Sequence, residues 1–123
     1  MMPLLMVALI IGSMSVQSVV LEATAYAPLE GVAGGCHDGD PHTTATGTKP
    51  GHGTVAVNPT VIPYGSVIYI PGGYGWGRAE DTGGAIRQRS DLIDLWMSTR
   101  REAIMWGRQK VQAYIATPRR DNR

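Results

Sequence analysis

Two carboxylates are the residues of this chain best suited to proton chemistry: Asp81, in the run Glu80-Asp81-Thr82-Gly83-Gly84-Ala85-Ile86, and Asp94, in Leu92-Ile93-Asp94-Leu95. A tight glycine turn and a buried apolar segment would hold them against each other, and two carboxyls held that way do not ionise together comfortably. One keeps its proton near neutral pH and serves as a general acid. The other stays charged and either stabilises positive charge or takes up a proton. A surface turn followed by a strand end would show the same residues, so the elements around them must decide.

Those elements are short and mostly extended. At 123 residues the chain closes around one modest core. Sixteen glycines, eight prolines and no phenylalanine favour strands and turns over a helical bundle. Val19, Leu21, Ala23 and Ala25 alternate with Glu22, Thr24 and Tyr26, the period of a half-buried strand. Residues 28–53 form a long polar loop, a kind that is usually functional or disordered. Thr54-Val55-Ala56-Val57 and Val67-Ile68-Tyr69-Ile70 read as interior strands, residues 74–80 as a hairpin arm leading into Asp81, and residues 92–96 as a strand containing Asp94. Thr99-Arg100-Arg101-Glu102 is a capping box opening one short helix. Ala103, Ile104 and Trp106 would supply its buried face, and Gly107 its left-handed stop. Residues 109–115 form the last strand, before a polar tail over 118–123.

Several function classes find no support. A net charge of +1 carries no polyanion-binding signal, and no segment interleaves basic and aromatic residues, so nucleic acid is not an expected partner. Cys36 is the lone cysteine, which excludes an internal disulfide and a four-cysteine zinc site. Cys36-His37-Asp38-Gly39-Asp40-Pro41-His42, with His52 beyond, holds enough donors for a metal but matches no structural zinc spacing, so it reads as a solvated loop and no metal is expected. Trp76 and Tyr74 suit either stacking on a sugar or capping a barrel. Residues 1–18 contain an apolar run at 4–11, followed by small residues, as in a secretory leader, but lack a basic start. The run is too short to span a bilayer. These features suggest a secreted or cell-envelope protein.

The ordered set Ala23-Thr24-Ala25-Tyr26, Thr44-Ala45-Thr46-Gly47-Thr48, Val55-Ala56-Val57-Asn58-Pro59, Val61-Ile62-Pro63-Tyr64-Gly65, Ala79-Glu80-Asp81-Thr82-Gly83-Gly84-Ala85-Ile86 and Ile93-Asp94-Leu95 resembles the 3D domain. That family, named for three aspartates, is related to the catalytic barrel of membrane-bound lytic transglycosylase A. Each motif alone is weak; six in order are specific. The resemblance implies a small six-stranded double-psi β-barrel over residues 19–117 with one short helix near the C-terminus. It also implies action on peptidoglycan glycan strands; no cofactor is expected, and the chain is expected to be a monomer.

Carried over position by position, the second and third family aspartates fall on Asp81 and Asp94, whereas the first falls on Asn58. The implied reaction is lytic transglycosylation, cleavage of the MurNAc-GlcNAc bond with formation of a 1,6-anhydromuramyl product. One carboxyl protonates the leaving oxygen and then deprotonates the muramyl 6-hydroxyl. Asp81 or Asp94 fills that role, with the other setting its pKa. Thr46, Gly47, Thr48, Gly83 and Gly84 would line the sugar groove, with Asn58 and Tyr26 also substrate-binding. Asparagine cannot ionise, so a barrel that binds cell-wall glycan without cutting it is the alternative. Asp-Thr-Gly also opens the active loop of dimeric aspartic proteases, but Glu80 and Gly84 fit that loop poorly.

Overall fold

The computed structural model describes residues 14–28 and 43–118. The apolar run at 4–11, the donors from Cys36 to His42 and the tail beyond 118 lie outside the described residues. Six strands, β1 (Met14–Tyr26), β2 (Thr54–Ala56), β3 (Val67–Ile70), β4 (Gly75–Asp81), β5 (Leu92–Trp96) and β6 (Gln109–Pro118), are joined by one helix, α1 (Arg100–Trp106). The strands close into a barrel in the order β1-β5-β2-β4-β3-β6. Pairing is mixed: β1 with β5 and β2 with β4 run parallel, and the other neighbours antiparallel. The small, mostly β double-psi barrel with one helix near the C-terminus is therefore the architecture observed. Among the described residues no helix is long and apolar enough to cross a membrane.

The two-residue alternation explains the core. Leu21 and Ala23 of β1, Val55 of β2, Ile68 and Ile70 of β3, Ile93 and Leu95 of β5, and Ala113 and Ile115 of β6 pack inside the barrel. Closure leaves no free sheet edge. β1 starts earlier than the alternation at Val19 suggests, because residues 14–18 pair with residues 114–118 of β6. Tyr74 is buried at one barrel end, where its hydroxyl accepts from Gly53 N at 2.8 Å and donates to the Trp96 carbonyl at 2.9 Å.

The helix departs from expectation on one face. Ala103 and Trp106 pack against the core, and the Trp106 indole donates to the Ala23 carbonyl at 3.1 Å, but Ile104 is 66% exposed. Positions 103 and 106 share a face; 104 is turned about 100° away from 103, and packing follows that geometry over hydrophobicity. Thr99 does cap the helix, accepting from Glu102 N at 3.1 Å, while the Glu102 carboxylate accepts from the Ser98 hydroxyl at 2.9 Å. Gly107 ends the helix at φ +67°.

β4 crosses β2 so closely that only glycine fits at position 77. A Cβ there would lie 2.7 Å from Val55 Cγ2 and 3.0 Å from the Gly53 carbonyl oxygen. Gly77→Ala is expected to lower stability by about 1–3 kcal/mol, since one of those neighbours is backbone and the other a core methyl. Chemical denaturation with an unchanged m-value would register this as a lower midpoint.

Candidate active site

The outward-facing positions of four adjacent strands build the site. Thr24 on β1 lies opposite Asp94 on β5, Asp94 opposite Ala56 on β2, and Ala56 opposite Asp81 on β4. Residues opposite each other in a ladder share a face, so these four form one row across the barrel's outer wall. Asp81 and Asp94 are separated by two strand spacings, roughly 10 Å between backbones, with the small Ala56 between them.

A register shift is what puts Asp81 in that row. Val55 pairs with Ala79, but the next residue, Ala56, pairs with Asp81, leaving Glu80 as the extra residue of a bulge. Simple alternation from the buried Ala79 would send Asp81 inward. Glu80 is outward by the alternation itself, and its Oε2 accepts from the hydroxyls of Thr48 and Thr54, each at 3.2 Å.

A second apolar cluster, Ala56, Ile86 and Leu92 with Tyr26 packed against it, lies on this outer face. Residues 86–88 form a 3-10 turn that brings Ile86 onto it. Burial is the main influence on Asp94. It raises the carboxyl pKa from 3.8 to about 6, against the lowering effect of the Thr24 hydroxyl, which donates to Oδ1 at 2.9 Å, and with a further rise from the Asp81 charge. Asp81 accepts two hydrogen bonds, from the Tyr26 hydroxyl to Oδ2 at 3.1 Å and from Ala45 N to Oδ1 at 3.0 Å. Burial, and then the Asp81 charge, hold the Tyr26 phenol well above its usual range, so it remains a donor.

The Thr44-Ala45-Thr46-Gly47-Thr48 segment is tied to β4. Buried Thr44 is the hub, its Oγ1 lying 2.6 Å from Thr48 Oγ1 and 3.2 Å from Thr46 Oγ1. Thr46 donates through both its amide and its hydroxyl to the Glu80 carbonyl. Thr46, Gly47 and Thr48 are exposed beside Asp81's Ala45 contact. Gly47 adopts φ +88° with open space around it, so it is required by the turn and not by close approach. On the other side of Asp81, Gly83 and Gly84 are half-buried, and a Cβ on Gly83 would make only ordinary contact with Ile86, at 3.6 Å.

Asn58 faces inward. Its amide donates to the carbonyls of Arg87 at 3.2 Å and Arg89 at 3.1 Å, while Oδ1 accepts from the amide and hydroxyl of Thr60. The side chain thus ties the Asn-Pro turn to the 3-10 turn that carries Ile86.

The structure brings Asp81, Asp94 and Tyr26 together, flanks them with the Thr46-Gly47-Thr48 loop and Gly83-Gly84, and sets Asn58 behind the 3-10 turn. Sequence reasoning gave no role to Thr24, Thr44, Thr54 or the Ala45 amide. Thr24 lies within the Ala23-Thr24-Ala25-Tyr26 motif, and its outward place in the β1 alternation, shared with Glu22 and Tyr26, was the available signal. The Ala45 contact had none, because it depends on how the loop folds back.

A closed six-stranded barrel with two aspartates aligned on its outer wall is the class of domain defined here. The chain belongs to the 3D domain family, which matches residues 53–117. It is 35% identical over 103 residues to a protein of Bacillus subtilis (strain 168) named cell wall-binding protein YocH, covering 80% of this chain and 32% of YocH. It is 38% identical over 76 residues to YabE of the same organism, whose name assigns it provisionally to cell wall shaping, covering 58% of this chain and 18% of YabE. The chain thus spans about a third or less of the length of these relatives. Among solved structures, MltA from E. coli aligns with 68% of this chain and 29% of MltA, at TM-score 0.49 and 20% identity.

Proposed function

We propose that this domain is a peptidoglycan lytic transglycosylase in which Asp94 is the acid/base and Asp81 its charged partner. A cell-wall function is supported by family membership and by the name of the YocH relative. The observation that carries the finer reading is the Asp94 carboxyl, shielded outside the barrel, poised near pH 6 and aligned with Asp81. A general acid works best with a pKa near the operating pH.

In this reading Asp94 gives its proton to the glycosidic oxygen as the bond to the muramyl C1 breaks. The positive charge that develops on the sugar is stabilised by Asp81, held in place by Tyr26 and the Ala45 amide. The Asp94 carboxylate then takes the proton of the muramyl 6-hydroxyl as O6 closes on C1. The acid is regenerated and a 1,6-anhydro ring is left. No water is consumed, so no second carboxylate need be placed to activate one. The Thr46-Gly47-Thr48 loop and Gly83-Gly84 bound the groove, and Asn58 contributes by anchoring the turn beneath it. The substrate places the domain at the cell envelope or outside the cell. Family membership favours the glycan readings over the aspartic protease.

Digestion of purified sacculi followed by mass spectrometry tests this reading. Anhydromuramyl ends are expected from the wild type, with Asp81→Asn strongly reduced; their absence from the wild type would refute it. The second reading, glycan binding without cleavage, is favoured by Asn58 standing where the family has an aspartate. A gain of cleavage from nothing in Asn58→Asp would support it, and wild-type cleavage would rule it out.

A further inference from the structure

The other side of the barrel carries a row of aromatic rings that the acid site does not use. Trp76 on β4 lies opposite Tyr69 on β3, and Tyr69 lies opposite Tyr114 on β6. All three sit at outward positions, alternating with the buried Ile68, Ile70, Ala79, Ala113 and Ile115. Trp76 and Tyr69 have ring centroids 4.5 Å apart at 39°, which makes one continuous surface. If stacking served stability alone it would cover the indole, yet Trp76 is 66% and Tyr114 39% exposed.

The exposed indole and the charge identify the occupant. Pyranose C–H faces and N-acetyl methyls stack on aromatic rings in the way other apolar groups do. Arg78, two residues along β4 from Trp76, is exposed and makes no ion pair among the described residues. No Asp or Glu occurs in β3, in β6 or in β4 before Glu80. The surface is therefore apolar with a positive margin, complementary to an amino-sugar polymer carrying carboxylates.

We propose that the Trp76-Tyr69-Tyr114 row is a second glycan-binding surface, on which an anionic β-1,4-linked amino-sugar strand lies across β4, β3 and β6 with Arg78 facing its carboxylates. It retains the domain on the polymer independently of the carboxylate row. The substrate class rests on the function proposed above; the surface itself rests on the aromatic register.

The test uses Asp94→Asn as the background, so that cleavage cannot alter the polymer, and measures co-sedimentation with sacculi and fluorescence titration with peptide-stripped glycan strands. Adding Trp76→Ala is expected to weaken binding roughly five- to tenfold and to remove the fluorescence change, whereas Trp76→Tyr retains most of the binding. If Trp76→Ala lowers the melting temperature, Tyr114→Gln carries the same test. Arg78→Gln should weaken binding to the stripped strands, which bear lactyl carboxylates, but not to neutral chitohexaose. Undiminished binding in both Trp76→Ala and Tyr114→Gln overturns the surface, and equal effects of Arg78→Gln on the two probes overturn its anionic specificity. Wild-type sacculi digests without anhydromuramyl ends would remove the lyase reading and leave this one standing.

Discussion

Asp94→Asn is expected to abolish glycan cleavage and, above pH 6, to stabilise the protein. Loss of a general acid costs about 10²–10⁴ in rate. The stability effect follows from the raised pKa. The folded chain binds this proton more tightly than the unfolded chain, so the contribution to stability is complete below about pH 4 and is lost as pH rises through about 6. The rise from 3.8 to about 6 is worth up to about 3 kcal/mol, at ~1.4 kcal/mol for each tenfold change in proton affinity. Asparagine cannot charge, and its carbonyl can still accept the Thr24 hydroxyl. Urea denaturation at pH 8 should therefore show the variant more stable than wild type, and at pH 3.5 the two should converge. A difference independent of pH would contradict the burial of this carboxyl.

Asn58→Asp is expected to destabilise the domain by about 2–4 kcal/mol at neutral pH. The wild-type amide donates two hydrogen bonds, to the Arg87 and Arg89 carbonyls. A carboxylate would confront those same oxygens with lone pairs and no donor, at 9% exposure for the residue. Acidification returns one donor, so the deficit should shrink at low pH. Thermal melts at pH 4 and pH 7.5 measure both effects, and an unchanged melting temperature at pH 7.5 would show that the turn does not depend on the amide. The substitution relative to the family is thus built into the packing, whatever its consequence for cleavage.

Much of this was legible in the sequence, for identifiable reasons. The alternations Leu21-Ala23-Ala25 and Val111-Ala113-Ile115 announce strands with one buried face, and the ordered motifs bring Asp81 and Asp94 together. The bulge at Glu80 was not legible: no glycine or proline marks it, and it arises from fitting β4 against β2. Residues 14–18 carry too little apolar patterning to announce their pairing with β6, which the antiparallel register with 114–118 supplies. Tyr74 and Trp76, alike by composition, separate in the structure because one plugs the barrel end and the other stands on its outer wall. Asn58 could be recognised as a departure, but two of its four hydrogen bonds go to a turn 29 and 31 residues downstream in sequence, the other two being local to Thr60.

The pH dependence of anhydromuramyl-end formation by the wild type, set beside Asp94→Asn, tests the central claim most directly. The account predicts a rate that falls as pH rises through about 6, the point at which Asp94 loses its proton, and no measurable product from Asp94→Asn. A rate that is flat from pH 5 to about pH 8, or wild-type product yield from Asp94→Asn, would contradict it.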